Sequence, residues 1–332
     1  MSRTPVLDLR ALFGLMDRQA GLVSRRQFNE LGGRHSDVER LVRRRQLDRL
    51  VTGVLIAPTD QPSWHQRAWA GVLHFWPAAL AGESALRAVA GPGWRRHDDS
   101  APITIAVGGD RSIHQLEGYA TRKMRALDVR TDWDAAPPRL RPEEAALDVA
   151  SRAADLWAGV GVLSTVIDLR GVDAAVLKSA ADRRARLRNA LWLRPLLRDL
   201  ERGRPLMLER LLHEQVEDPH GLPRGRRWRH PRGDRPDEPG ITAFAYPPHR
   251  LRLELDGRLR HDSAGRHDRE LDAQLAAAAA AGHARRTEVV LSYGQVLARP
   301  CATAGHLATL LARRGWSGAL RPCSPGCTAS RH

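Results

Sequence analysis

The sequence predicts a multidomain protein that combines α+β and α/β architecture. The first observation is the length of 332 residues, which at roughly 150 residues per domain suggests two or three domains. The second is the order of helix and strand patterns over the first sixty residues. The third is the order of such patterns over the last third of the chain. A hydrophobic fraction of 42% with 27% charged residues excludes a wholly disordered chain.

Two helices are predicted at the start of the chain. Apolar residues from Leu9 to Met16 recur at helical spacing, and this pattern stops at Gly21. Ser24 and Gln27 have the spacing of a capping box, which begins a second helix. The pair Gly32-Gly33 is typical of the residues that end a helix, so the second helix is predicted to end there.

A third helix and a β-ribbon complete this module. The helix is predicted to begin at Ser36, with Glu39 three residues on as a second capping box. The next stretch indicates two short strands hinged near Thr52-Gly53. Three helices followed by a ribbon is the order of a winged helix-turn-helix, which we therefore predict over residues 1–60.

Residues 61–203 are predicted to form a central α+β domain. Two helical stretches near its start are expected to bury Trp64, Trp69 and Trp76. The stretch ITIAVGG predicts a strand, and a second short strand is expected from Val129. The remainder, up to Leu200, is mostly helical in pattern.

A third domain is predicted over residues 204–318, with an irregular tail over 319–332. A short amphipathic helix precedes a segment rich in Pro, Gly and Arg that indicates a loop or loose hairpin. Two strands follow, ITAFAY and LRLELDG, then a helix ending in an alanine run, the strand TEVVLSYG and a last helix. This order matches the restriction-endonuclease-like core.

The net charge of +15 favours an anionic partner, with nucleic acid ahead of a membrane surface. All but two of the 53 Lys+Arg residues are arginine, which is typical of a GC-rich genome and weakens the arginine count as evidence for phosphate recognition. The most apolar stretch, Trp69 to Gly91, is interrupted by polar residues and a proline, so no membrane span is expected. Three cysteines do not make a disulfide framework, and we expect a cytoplasmic protein.

The third predicted helix is the best candidate for DNA contact. A recognition helix needs a donor-rich face for phosphates and base edges. The helix before it begins with two arginines, and a second basic stretch lies between Leu222 and Pro236. A solvated face or a protein-docking module is the alternative interpretation. The predicted DNA-binding residues are Arg25, Arg26, Arg40, Arg43, Arg44, Arg224, Arg226, Arg227 and Arg229.

Acidic residues near a strand end are the candidate for catalysis. Glu254 and Asp256 lie two residues apart on a predicted strand and therefore project to one face, and Glu209 lies on the preceding helix. Converging carboxylates can hold Mg²⁺, which activates water for phosphodiester cleavage. Acidic pairs at strand ends are more often solvated or salt-bridged, so no cofactor is expected unless this site is active.

The cysteines are the candidate for zinc binding. Cys323 and Cys327 form one pair, and Cys301 with His306 or His261 are the candidate further ligands. Zinc prefers four thiolate or imidazole ligands. One isolated pair is weak evidence, and a free, flexible tail is the favoured interpretation.

Several stretches resemble known families. RQAGLVSRRQFNELG, SDVERLVRRRQLDRLVTGVLIA, QRAWAGVLH, ESALR and PPRLRPEEAALDVASRA resemble actinobacterial proteins related to the AbiEi antitoxins of type IV toxin–antitoxin systems. LRLELDGRLRHDSAGRHDRELD, YGQVLARPCATA and RPCSPGC are similar to a domain of unknown function related to Vsr, the very-short-patch-repair endonuclease. Together these stretches run over most of the chain.

The resemblance implies a DNA-binding winged helix, a central antitoxin-like domain, a C-terminal PD-(D/E)xK nuclease fold and a cognate toxin as a candidate partner. Carried over, the family's carboxylates fall on Glu209, Glu254 and Asp256, whereas its first aspartate falls on Ala243, three residues before Tyr246. Too few ligands then remain to fix magnesium, so the carboxylates are expected to be vestigial. Asp237 and Glu238 are the candidate substitutes.

The leading hypothesis is thus an antitoxin-like regulator that binds double-stranded DNA and carries a degenerate nuclease-fold domain. One alternative is a Mg²⁺-dependent DNA endonuclease that uses Glu209, Glu254 and Asp256. The other is an antitoxin that docks a toxin and does not cleave DNA.

Overall fold

The computed structural model describes residues 6–92, 94, 97–167, 169, 172–228, 241–259, 266–281 and 289–331. The chain divides into two compact units, Met1–Asp148 and Val149–His332. Helices and sheets occur in both units, which confirms the mixed α and β class. The division into modules over 1–60, 61–203 and 204–318 stays a prediction. The predicted site residues Arg229, Asp237, Glu238 and His261 lie outside the described residues.

The first unit begins with three helices and a small sheet. The helices are α1 (Leu9–Arg18), α2 (Arg25–Glu30) and α3 (His35–Arg43), and the strands are β1 (Leu22–Ser24), β2 (Asp48–Val51) and β3 (Val54–Ile56). The sheet is antiparallel with the order β1–β3–β2. Gly53 turns β2 into β3 at a φ of +78°, as the hinge at Thr52-Gly53 predicts.

Caps determine where α2 and α3 begin. The Ser24 hydroxyl accepts from the Gln27 N–H at 3.2 Å and the Gln27 side chain accepts from the Ser24 N–H at 3.0 Å, which confirms the first capping box. The second predicted box is wrong. Asp37 accepts from the Arg34 N–H at 3.0 Å, so α3 begins at His35. Glu39 instead forms an ion pair with Arg49 of β2.

Both faces of the small sheet are buried. Leu55 packs with the residues of α1, α2 and α3 in a core around Phe28, which is fully buried. Ile56 points to the other face, where it packs against Trp69 of α4 (Trp64–His74). This alternation follows the two-residue period of a strand, and it joins the three-helix module to the helix that follows it.

The rest of the first unit is built on a five-stranded sheet of order β6–β5–β4–β8–β7. Gly71 allows α4 to approach this sheet, because a Cβ there would lie 2.5 Å from the Tyr119 ring. Burial raises the pKa of that tyrosine to about 12. The elements are β4 (Ala78–Leu80), α5 (Gly82–Ala90), β5 (Ile103–Gly108), β6 (Tyr119–Met124), α6 (Leu127–Arg130), β7 (Thr131–Asp132), β8 (Arg139–Leu140) and α7 (Pro142–Ala150).

Two expectations for this region are wrong. Trp64 and Trp69 are buried, but Trp76 is 38% exposed. Helix α4 ends at His74, so Trp76 lies beyond the helix and is not on its buried face. Val129 does not begin a strand; it is an exposed residue of α6, and the short strand β7 begins two residues later at Thr131. The predicted strand ITIAVGG is confirmed as β5.

An ion pair closes the loop that precedes β5. The buried Arg87 guanidinium donates to both carboxylate oxygens of Asp99, at 2.9 Å each, and its carbon lies 4.6 Å from the centroid of the Trp64 ring. The hydrogen bonds from Arg87 hold the pKa of Asp99 below its ordinary value. The pair therefore stabilises the fold when Asp99 is ionised.

We expect Asp99→Asn to lower the free energy of unfolding by about 1 kcal/mol at neutral pH, a modest loss because the carboxylate is half exposed. The contribution is present above the aspartate pKa of the unfolded chain, about 4, and is lost as pH falls through the lower folded pKa. Urea denaturation of both proteins at pH 7 and at strongly acidic pH measures this. A difference of equal size at both pH values contradicts the assignment.

The second unit carries a mixed four-stranded sheet of order β12–β11–β10–β9. Strand β10 is antiparallel to β9 and β11, whereas β11 and β12 are parallel and joined through a helix. The strands are β9 (Arg226–Arg227), β10 (Ile241–Tyr246), β11 (Leu251–Asp256) and β12 (Val289–Leu291). They confirm the strands expected from ITAFAY, LRLELDG and TEVVLSYG.

Helices make up most of the remainder of this unit. They are α8 (Leu156–Val166), α9 (Ala174–Asp182), α10 (Ala190–Arg202), α11 (Leu206–Leu211), α12 (Asp218–His220), α13 (Arg266–Ala281) and α14 (Pro300–Ala312). A π-helical segment, Leu212–Glu217, connects α11 to α12, and a second one, Gly294–Ala298, precedes α14. Throughout the described part of the chain, no helix combines the length and the apolar character needed to cross a bilayer.

Candidate nucleic-acid interface, carboxylates and thiol cluster

Three consecutive arginines are exposed where α3 ends. Arg43 closes the helix, and Arg44 and Arg45 follow it, with Arg45 at a φ of +54°. Within the described residues, no carboxylate lies within ion-pair distance of any of these three guanidinium groups. Three cations side by side without an internal counter-ion form a local positive patch, which attracts a polyanion.

The other predicted arginines of this module have internal partners. Arg40 lies 2.8 Å from Asp37, and Arg26 lies 2.7 Å from Glu30. Arg25 is half-buried, and its guanidinium carbon lies 5.7 Å from the centroid of the Phe28 ring. Exposed ion pairs of this kind contribute little free energy, so they can exchange for a phosphate.

The basic stretch of the second unit is largely neutralised by carboxylates. Arg224 donates to both oxygens of Asp218, at 2.8 and 2.5 Å, which lowers the pKa of that carboxyl group. Arg227 is hydrogen-bonded to Glu209. Arg226 is exposed and, as far as the described residues go, has no carboxylate partner. The stretch therefore offers less free positive charge than its sequence suggests.

Two of the three predicted catalytic carboxylates are held by arginines. Asp256 is buried, and its oxygens accept from Arg258 Nε at 2.9 Å and from a terminal nitrogen of the same guanidinium at 2.8 Å. Glu209 is held by Arg227. The metal-ligating side chains of the described residues come together in one group of three or more, and it contains none of Glu209, Glu254 and Asp256.

The pairing of β10 with β11 shows what surrounds Glu254. Ala243 lies directly opposite Glu254 in the antiparallel register, so both side chains project from the same face of the sheet. Ala243 is the residue that the resemblance aligns with the motif aspartate. A methyl group therefore stands where a second carboxylate would have to lie to share a metal ion with Glu254.

Glu217 is a buried carboxylate that the sequence analysis did not single out. It accepts from the Tyr246 hydroxyl at 2.6 Å and from the Gly225 N–H at 3.0 Å, and it also pairs with His213. Burial, and then the nearby carboxylate, raise the pKa of Tyr246 well above its ordinary value. Glu217 thus fastens the π-helical segment to β10 and to the chain before β9.

Three cysteines and a histidine meet at the surface of the second unit. The ligand atoms of His220, Cys301, Cys323 and Cys327 all lie within 4.8 Å of one another. We call this set the thiol cluster. The Sγ atoms of Cys301 and Cys323 are 3.5 Å apart. His220 is fully buried, Cys323 is exposed and the other two are half-buried.

The histidine of the thiol cluster was missed by sequence reasoning, which named His306 and His261 as candidates. His306 is not part of the cluster. His220 lies far from the cysteines along the chain, at the end of α12, and no ligand spacing points to it. The Arg321 N–H donates to the His220 carbonyl oxygen at 2.9 Å, and this bond brings the tail to the histidine.

Hydrogen bonds orient the side chains of the thiol cluster. His220 Nδ1 lies 2.7 Å from the Val216 carbonyl oxygen, and because that oxygen only accepts, Nδ1 carries the proton. Nε2 is buried and has no hydrogen-bond partner among the described residues. N–H donation from Ala329 lowers the pKa of Cys327 to about 6, whereas burial raises that of Cys301 to about 11.

The tail beyond residue 318 is irregular over most of its length, yet it packs on the second unit. A 3-10 turn, Ala329–Arg331, lies against α14, and Ala329 is buried. The favoured interpretation of a free tail therefore does not describe this arrangement.

No protein-family model matches the chain, and no curated protein matches it significantly. Among solved structures, the chain is similar to the crystal structure of the RV2827C protein from Mycobacterium tuberculosis. The two share 20% sequence identity, with a TM-score of 0.36 over 62% of this chain and 80% of that chain.

Proposed function

We propose that the chain binds double-stranded DNA and acts as an antitoxin-like regulator, with its nuclease-like sheet serving as a binding module. The observation that carries this proposal is the patch Arg43, Arg44 and Arg45, which is exposed and has no internal counter-ion among the described residues. Phosphates supply the charge that this patch lacks.

The arrangement around the patch supports a winged helix-turn-helix. Helices α2 and α3 are joined by the short turn at Gly32-Gly33, and an antiparallel ribbon follows α3. The Arg25 N–H donates to the Gly53 carbonyl oxygen at 2.7 Å, so the tip of the ribbon is tied to the start of α2. In such modules the second helix of the pair lies in the major groove and the ribbon contacts the backbone.

Fluorescence anisotropy of the full-length chain with a labelled DNA duplex tests the proposal. We expect binding at low ionic strength that weakens steeply as salt rises, because phosphate contacts release condensed counter-ions. A random duplex and a duplex from the chain's own promoter separate general affinity from a preferred site. An unchanged anisotropy at low salt with either duplex contradicts DNA binding.

Nuclease activity is the second candidate function. The order of β10, β11 and β12 favours it, because it is the order expected of a restriction-endonuclease-like core. We expect no nicking of supercoiled plasmid in Mg²⁺ or Mn²⁺. Asp256 is bound by Arg258, and Ala243 supplies no ligand beside Glu254. Nicking that disappears in Asp256→Asn but persists in the control Asp268→Asn would establish the nuclease instead.

A cognate toxin is the proposed protein partner, and this rests on the resemblance to AbiEi-like antitoxins. Co-purification of the tagged chain with the product of a neighbouring gene tests it. Retention of that product by the Arg43→Ala, Arg44→Ala double variant separates toxin docking from DNA bridging, because this variant removes only the proposed phosphate contacts.

A further inference from the structure

We propose that His220, Cys301, Cys323 and Cys327 form a structural zinc site that fixes the C-terminal tail to the second unit. The four side chains come from three separate parts of the chain: the end of α12, the start of α14 and the tail. This site is independent of the proposed DNA contacts.

The distances within the thiol cluster fit tetrahedral zinc. Zn–S bonds of about 2.3 Å and Zn–N bonds of about 2.0 Å place neighbouring ligand atoms of a tetrahedron roughly 3.5–3.8 Å apart. The Sγ atoms of Cys301 and Cys323 are 3.5 Å apart, and the four ligand atoms all lie within 4.8 Å of one another. A disulfide needs about 2.05 Å, so this spacing is that of metal ligands rather than of a covalent pair.

The hydrogen bonding of the His220 ring is a second, independent observation that supports the zinc site. With the proton on Nδ1, the Nε2 atom carries a lone pair that is buried and accepts no hydrogen bond from any described residue. A fully buried polar atom in native proteins normally has a partner. The bond from Nδ1 to a backbone carbonyl is also the arrangement that orients metal-bound histidines.

The ligand types identify the metal. Thiolates and imidazole favour Zn²⁺ over Mg²⁺ or Ca²⁺, which prefer oxygen ligands. Four protein ligands close the coordination sphere and leave no position for a substrate, so the site is structural.

The proposal also explains why an irregular segment packs in one place. The exposed residues 321–326 contribute little apolar burial, and the described anchors of the tail include the Arg321 N–H bond to His220 and the buried Ala329. A metal ion that joins the tail to α12 and α14 would hold the tail in place. Bound metal ions stabilise segments in this way where little apolar surface is buried.

Elemental analysis of the full-length protein, purified without added metal, tests the site. We expect about one zinc ion per chain, and replacement by Co²⁺ should give a thiolate-to-cobalt charge-transfer band with the d–d bands of a tetrahedral ion. The denatured protein should titrate as three free thiols. Protein that holds no zinc and shows no such band with Co²⁺, or that contains a Cys301–Cys323 disulfide, overturns the proposal.

Variants locate the metal. We expect His220→Gln and Cys327→Ser to lose nearly all bound zinc, whereas the control His306→Gln retains it, because His306 lies outside the thiol cluster. Limited chymotrypsin digestion should then cleave after Leu320 in the chelator-treated wild type and not in the zinc-loaded protein, a readout that needs no variant to fold. Zinc retained at full level in both cluster variants, or identical digestion with and without chelator, contradicts the site.

Discussion

Replacing Arg43 and Arg44 with alanine is expected to weaken binding to duplex DNA about 100-fold at moderate salt. A charge-assisted hydrogen bond to phosphate is worth about 1.5 kcal/mol or more, which corresponds to roughly tenfold in affinity for each arginine. The two side chains are exposed and without carboxylate partners in the described structure, so the fold loses no ion pair with them. Anisotropy titrations with one duplex at fixed salt measure the ratio.

The matched control is the double variant Arg10→Ala, Arg18→Ala. Both residues are exposed on α1 of the same unit, and the variant removes the same formal charge. We expect its affinity to stay within about threefold of the wild type, since long-range charge effects are screened at moderate salt. Equal losses in the two double variants would mean that net charge, not the end of α3, governs binding.

Gly33→Ala is expected to destabilise the first unit by about 2–3 kcal/mol and to lower its Tm by roughly 5–10 °C. A Cβ at Gly33 would lie 2.7 Å from the Phe28 carbonyl oxygen and in still closer contact with the Phe28 ring. That ring is fully buried, and the same carbonyl accepts from the Gly33 N–H at 3.0 Å, so neither group can move without opening the end of α2. Scanning calorimetry measures the change.

Gly14→Ala is the control for that prediction. Gly14 lies inside α1, and the nearest atom to its added Cβ is a flexible arginine nitrogen at 4.0 Å. Alanine in a helix interior is favoured over glycine, so we expect a gain of about 0.5–1 kcal/mol. Opposite shifts in Tm for the two variants support the packing account of the turn, whereas shifts of the same sign contradict it. Because this turn places α3, Gly33→Ala should also weaken DNA binding.

Local patterns were sufficient to predict much of the fold. The capping box of Ser24 and Gln27, the hinge at Gly53 and the strand patterns of β10, β11 and β12 can be recognised within short stretches of sequence, and each is confirmed. The start of α3 was misplaced, because Asp37 and Glu39 are both plausible capping residues and only the turn geometry selects the first.

The candidate sites were harder to predict, because they depend on contacts between distant segments. Nothing near His220 in the sequence indicates that the tail cysteines reach it. The pairing of Glu209 with Arg227 likewise joins a helix to an edge strand. The pairing of Asp256 with Arg258 is local, and the ELDGR string contained that signal, since an arginine two residues beyond a strand-end aspartate can fold back on it.

The salt dependence of DNA affinity tests the central claim, that the end of α3 contacts the DNA backbone, most directly. Each phosphate contact contributes about 0.9 to the slope of log affinity against log salt concentration. We expect the slope of the Arg43→Ala, Arg44→Ala variant to be shallower than that of the wild type by about 1.8, and the slope of the Arg10→Ala, Arg18→Ala control to be unchanged. Identical slopes for the wild type and the Arg43→Ala, Arg44→Ala variant contradict the claim.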